Sequence, residues 1–238
     1  MLARYVVFSA QRTGSSWLCG YLLQRGLGVP FEYLNPVYVK RIATRLGMSA
    51  ELGVDIAGFM ARLQPLRTRH GIFGMKLQPH QLRMASAGNP AEALAILRRF
   101  DKVILLRRRD QLLQAISLAR ASLTDQWQLY GDDETLDIDC ADDVLFEAIG
   151  AGLRSVRDNE HYMTELAAGL KPEVVRTLWY EDLSDPSVLE ATADWLWAAV
   201  GDRVRRPGPD PTIELPKKMD EARARGIKRR YMSFIGAA

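Results

Sequence analysis

The stretch Phe8-Ser9-Ala10-Gln11-Arg12-Thr13-Gly14-Ser15-Ser16-Trp17-Leu18 constrains this chain more than any other. It continues from Tyr5-Val6-Val7-Phe8, a short apolar run rich in β-formers that predicts a buried strand. Beyond it, Trp17-Leu18-Cys19-Gly20-Tyr21-Leu22-Leu23 spaces its apolar residues as a helix does. A strand, a tight polar loop and a helix start therefore follow one another. Thr13, Ser15, Ser16, Gly14 and Arg12 crowd the turn, where the first N–H groups of the helix point outward. Such a turn suits a phosphate or sulfate, with the glycine letting the backbone approach the anion. It can equally do no more than cap the helix, since Ser and Thr are good N-caps. It is not the common nucleotide loop, which needs G-x-x-x-x-G-K-[ST]. Here Ala10 stands near the first glycine position and the cation, Arg12, precedes Gly14.

A second basic turn follows the clearest buried strand, Lys102-Val103-Ile104-Leu105-Leu106, which runs into Arg107-Arg108-Arg109-Asp110 and a helix from Gln111 to about Tyr130. Three adjacent arginines repel unless an anion lies among them, or unless one pairs with Asp110 and another points to solvent. A third strand, Ile72–Leu77, carries Lys76 near its end, and Pro79 starts a short helix after it. The C-terminal edge of an open α/β sheet is where ligands bind, so Lys76 is placed to stabilise charge there; an ordinary edge lysine is the other reading. Val174–Trp179 reads as a further strand, and helices are expected over 37–49, 53–68 (bent or ended by Pro65), 142–168 and 187–200. This alternation predicts a three-layer α/β/α domain with a central parallel sheet. At 238 residues and 47% hydrophobic, the chain suits one such domain over 1–238.

Glu32 lies in the turn-rich crossover 26–36, flanked by Phe31, Tyr33 and Leu34. Apolar surroundings can raise a carboxyl pKa towards the range of a general base, although a surface glutamate or a helix-cap partner reads equally well. The net charge is only +3 but is unevenly spread. Seven acids lie between Asp132 and Asp143, read as a solvated loop, and seven bases between Lys217 and Arg230. The basic run lacks interleaved aromatics and any nucleic-acid reader motif, and could instead close over an anionic ligand. Cys19 and Cys140 sit far apart in different kinds of segment, so no disulfide is expected and a reducing cytoplasm is the default. No signal peptide, no membrane-spanning apolar run and no His/Cys ligand cluster is visible, so neither a transmembrane segment nor a metal is expected.

Arg12-Thr13-Gly14-Ser15-Ser16-Trp17 after the first strand resembles the 5′-phosphosulfate loop of sulfotransferases that use 3′-phosphoadenylyl sulfate (PAPS). Ser9-Ala10-Gln11-Arg12-Thr13-Gly14-Ser15 is similar to the S-Q-R-S-G-S loop of the bacterial trehalose 2-sulfotransferase type. Arg108, Asp110, Gln114, Ala115 and Ser117 resemble the R-x-D-x-x-x-Q-A-x-S motif for the 3′-phosphate, and Tyr180-Glu181-Asp182-Leu183 a common turn of these enzymes. The resemblance implies a P-loop-like sulfotransferase fold, PAPS as donor and no metal. It implies a cofactor site of Arg12, Thr13, Gly14, Ser15, Ser16, Trp17, Arg108, Ser117 and Tyr180, with Trp17 and Tyr180 near the adenine. Arg109 replaces Arg108 if the strand ends one residue later. Glu32 takes the place of the catalytic base, with Arg12 and Lys76 stabilising the transferring group. Gln11, Tyr33 and Trp127 would meet a carbohydrate or glycolipid acceptor. The histidine base of cytosolic sulfotransferases is not carried, because Gln78 stands in its place. The basic tail would cover the 3′-phosphate, and a homodimer is possible. A magnesium-dependent kinase-like enzyme and a nucleic-acid-binding module on the basic tail are the alternatives.

Overall fold

The computed structural model describes residues 2–49, 55–201, 206–217 and 221–236. Four parallel strands, β1 (Ala3–Ser9), β2 (Ile72–Leu77), β3 (Lys102–Arg107) and β4 (Val175–Trp179), form a sheet in the order β2-β1-β3-β4. The order reverses at β1: one crossover leads out to β2 and the next returns past β1 to β3. That places a topological switch point between the C-terminal ends of β1 and β3, where an open α/β sheet leaves a crevice. The two strands pair from Tyr5 with Lys102 to Ser9 with Leu106, so their basic loops emerge side by side.

The strands are apolar on both faces because helices cover both. Val6 and Phe8 of β1, Phe73, Met75 and Leu77 of β2, and Val103 and Leu105 of β3 pack on one side. Their helical cover there comes from α2 (Pro36–Arg45), α3 (Ile56–Arg67), α4 (Pro79–Ala85), α5 (Pro90–Leu97) and α7 (Asp142–Ala168). The alternate residues Tyr5, Val7, Ile104 and Leu106 pack against α1 (Ser15–Gln24) and α8 (Pro186–Trp197). The period-2 pattern of each strand thus builds the expected three-layer sandwich. A third cluster joins α6 (Gln111–Thr124) and α7 to α9 (Glu221–Phe234).

Two local readings change. The helix begun at Gln111 stops at Thr124, because Asp125 takes the left-handed conformation (φ 54°) that Asp tolerates better than most residues. Trp127 therefore lies on the following loop and not on that helix. Pro65 ends nothing: it sits inside α3, three residues before its C-cap, Thr68. Finally, the acidic run is exposed as expected, but two of its acids are also paired, Asp137 with Arg223 and Asp142 with Arg230, while Lys228 of α9 pairs with Asp110, the N-cap of α6, at 2.6 Å. α5 and α9 were not anticipated, and Val54, Lys218, Met219 and Asp220 lie outside the described residues. No helix among the described residues is long and apolar enough to cross a membrane.

Candidate active site

A cleft of about 790 Å³ opens beyond the C-terminal ends of β1, β2 and β3. Its floor is the loop between β1 and α1. Arg12 and Gly14 both take positive φ, 62° and 78°, which turns the chain tightly enough to aim the start of α1 at the cleft. Gly14 is the N-cap of α1 and offers no side chain to cap it. The first amides of a helix point out of its N-terminus, and Ser15, Ser16 and Trp17 line the cleft at that point. Thr13 does not line it; its hydroxyl turns inward and donates to Ala10 O at 3.0 Å. A Cβ on Gly14 would stand 2.7 Å from Tyr180 Cδ2. Gly14→Ala is therefore expected to cost about 1–3 kcal/mol through strain at this positive φ, read by chemical denaturation. A variant as stable as the parent would show that neither the positive φ nor Tyr180 resists a Cβ here.

Positive charge converges on the same floor. Arg12 Nε donates to Ser117 Oγ at 2.8 Å, and its Nη1 donates to Trp127 O. Arg108 Nη1 donates to Arg12 O at 3.3 Å, and its guanidinium lies 4.3 Å from the centre of the Tyr180 ring. Arg120, one helical turn beyond Ser117 on α6, also lines the cleft and is 3% exposed. Burial, then repulsion from Arg108 and Arg120, pushes the Arg12 guanidinium down to about 10, against an opposing effect of Tyr180. A bound polyanion would relieve that repulsion. Arg109 is occupied elsewhere: it grips Asp182 with two hydrogen bonds of 2.7 Å and lies over Trp179. Because β3 ends at Arg107, it is Arg108 that turns into the cleft.

The opposite wall carries the carboxylate. The segment before α2 runs beside β2, where Phe31 bridges Met75 in parallel and Phe31 O accepts from Lys76 N at 3.0 Å. This one-residue extension of the sheet sets Glu32 against the end of β2. Lys76 Nζ pairs with Glu32 Oε1 at 2.7 Å and donates to Ser16 Oγ at 2.9 Å, linking the carboxylate to the start of α1. Gln78 Nε2 donates to Oε1 at 3.0 Å; Gln81 Nε2 and Asn35 Nδ2 donate to Oε2 at 2.6 and 2.9 Å. Burial pushes the Glu32 carboxyl upward, but the Lys76 charge with its hydrogen bond, and those of Asn35 and Gln81, outweigh it and leave the carboxyl below its usual range. The sequence expectation of a raised pKa is thus reversed. Apolar neighbours in the chain surround Glu32 in sequence, whereas polar ones surround it in space.

Of the remaining candidates, Gln11 and Trp127 line the cleft, and Trp17 does so with its ring stacked on Tyr21 at 6.2 Å. Tyr33 does not: it is 1% exposed in the core and donates its hydroxyl to Val29 O. Sequence reasoning missed Arg120, Asn35 and Gln81. The Gln78-Pro79-His80-Gln81 helix start held a signal for the last, since Gln81 Oε1 accepts from Gln78 N as in a capping box. Of the basic tail, Lys217 borders the cleft, while Arg223 and Arg230 pair with the acidic segment. No cluster of metal-ligating residues is present among the described residues.

A solved structure shares this architecture. A sulfotransferase from Alicyclobacillus acidocaldarius matches with a TM-score of 0.52 at 15% identity, over 100% of this chain and 97% of that one. The sulfotransferase domain of the Synechococcus PCC 7002 olefin synthase matches with a TM-score of 0.42 at 15% identity, over 97% and 94% of the two chains. That of the curacin biosynthetic pathway does so with a TM-score of 0.42 at 15% identity, over 100% and 99%. No curated protein matches the chain. The family model described as Stf0 sulphotransferase matches residues 4–232, a span that takes in both basic loops, the Glu32 segment and most of α9, and this chain belongs to that family.

Proposed function

We propose that the protein transfers a sulfuryl group from PAPS to a hydroxyl of a carbohydrate or glycolipid acceptor. The observation that carries this reading is the pairing, within one cleft, of a guanidinium-rich floor with a wall that holds an ionised carboxylate. Arg108 and Ser117 suit the 3′-phosphate, and Arg12 with the amides at the start of α1 suits the 5′-phosphosulfate. Trp17 and Tyr180 offer aromatic surfaces for the adenine. The donor supplies an activated sulfuryl group. Glu32 accepts the proton of the attacking hydroxyl as the acceptor oxygen forms its bond to sulfur and the bond from sulfur to the phosphate oxygen breaks. Lys76, bridging Glu32 and Ser16, stabilises charge on the moving group, and Arg12 stabilises charge on the departing phosphate. 3′-Phosphoadenosine 5′-phosphate (PAP) leaves.

Calorimetric titration with PAP, beside AMP and beside ATP with and without magnesium, tests the donor site. PAP is expected to bind far more tightly than AMP. Arg108→Ala is expected to weaken PAP about ten- to a hundredfold, the worth of a hydrogen bond to a charged group. Equal affinity for PAP and AMP, or tightest binding of ATP with magnesium, would overturn the reading.

A further inference from the structure

We infer that the acceptor is an amphiphile, with its reacting hydroxyl carried beside an aryl or alkyl group. This inference rests on the sulfuryl-transfer reading and concerns what the Glu32 wall presents to the second substrate.

Most of the polar atoms around Glu32 are already committed, the buried Gln78 Oε1 being the exception. The amide nitrogens of Gln78, Gln81 and Asn35 all donate to its carboxylate. Asn35 Oδ1 accepts from Val37 N as the cap of α2, and Gln81 Oε1 accepts from Gln78 N. Lys76 is engaged by Glu32 and Ser16. Reading a ring of hydroxyls takes several convergent donors and acceptors, because each buried polar group left unpaired costs affinity. What this wall still offers is Gln78 Oε1 and an imidazole, His80, held below the usual histidine range by burial, together with apolar surface.

That apolar surface is contiguous. Phe31 immediately precedes Glu32, and Val37 and Tyr38 stand in the first turn of α2; all three line the cleft. Phe31 is 44% exposed, Val37 74% and Tyr38 42%, with the Phe31 and Tyr38 rings 5.3 Å apart between centres. The cap from Asn35 to Val37 N fixes this turn to the residue that also holds Glu32. The apolar patch and the carboxylate are therefore one rigid unit. Across the cleft, Trp127 and Tyr130 add two more exposed rings. An aryl or alkyl group laid on Phe31, Val37 and Tyr38 would carry an adjacent hydroxyl to Glu32, removing from water surface that is otherwise left exposed.

The test compares the binding of methyl, phenyl and octyl β-glucoside (the last below its micelle concentration) to the protein, both PAP-loaded and free. The phenyl and octyl compounds are expected to bind at least about tenfold more tightly than the methyl compound, roughly 1.4 kcal/mol. Phe31→Ala and Val37→Ser are each expected to reduce that preference while PAP affinity stays unchanged. Val37 is exposed, so its variant keeps the test valid if Phe31→Ala folds poorly. Equal binding of the three glucosides, or a preference that survives both substitutions, would overturn the inference. So would sedimentation showing a dimer that Val37→Asp disperses, which would make the patch an interface between copies. Loss of PAP discrimination with the glucoside preference intact would instead overturn the donor reading alone and leave the apolar acceptor surface standing.

Discussion

Replacing Glu32 with glutamine is expected to lower kcat by about 10²- to 10⁴-fold, the usual worth of a positioned general base, while PAP still binds. The substitution keeps the shape of the side chain and removes its ability to take a proton. It also removes the ionic partner of Lys76, whose side chain is only 7% exposed. Breaking a buried pair destabilises by about 3–5 kcal/mol, so the melting temperature should fall together with the rate. Turnover measured well below that temperature separates the two effects. A kcat within tenfold of the parent would remove Glu32 from the chemistry. The pH dependence carries a sign. Because the folded-state pKa of Glu32 is depressed, the carboxylate is ionised across the neutral range, and the acid limb of the rate profile lies below the ordinary glutamate range. The same depression stabilises the fold above the unfolded pKa, and that contribution is lost as pH falls through the folded one.

Lys76→Met is expected to act on both the rate and its pH dependence. Burial alone would push Glu32 upward, and the Lys76 charge is the largest influence holding it down. Without that charge, the acid limb of kcat/KM should move to higher pH. The plateau should also drop by about 10²- to 10³-fold if Lys76 stabilises the transferring group, as loss of one such donor typically does. The two readouts are separable. An unmoved limb would show that the three amides alone set the basicity of Glu32, and an unchanged plateau would confine Lys76 to positioning the carboxylate.

Much of the fold was legible in the residues. Tyr5–Phe8 and Val103–Leu106 have no polar interruption, so both announce strands buried on two faces, and the loops after them hold the charge that lines the cleft. What could not be read depends on distance along the chain. Two of the three amides that fix Glu32 lie 46 and 49 residues away on Gln78 and Gln81, so its sequence neighbours Phe31, Tyr33 and Leu34 suggested the wrong electrostatic environment. The resemblance placed Tyr33 at the acceptor, yet the turn at Glu32 sends it into the core. Arg120 carries no signal among its sequence neighbours, and only the packing of α6 beside the β1 loop turns it inward. The choice between Arg108 and Arg109 hung on where β3 stops and on Asp182, more than seventy positions further along.

The pairing of α9 with the acidic segment bears on how fast an anionic donor is captured. Read linearly, the two charged blocks would dominate the electric field of the molecule. Folded, Arg223 and Arg230 face Asp137 and Asp142 at contact distance, and their potentials largely cancel a few ångströms into the solvent. The cleft is different. Among the described residues, Arg12, Lys76, Arg108, Arg120 and Lys217 line it against two carboxylates, Glu32 and Glu214. Low-dielectric walls focus such an imbalance outward through the opening. Diffusing polyanions are therefore expected to be drawn to this opening, and their encounter rate to slow as added salt shortens the reach of the field.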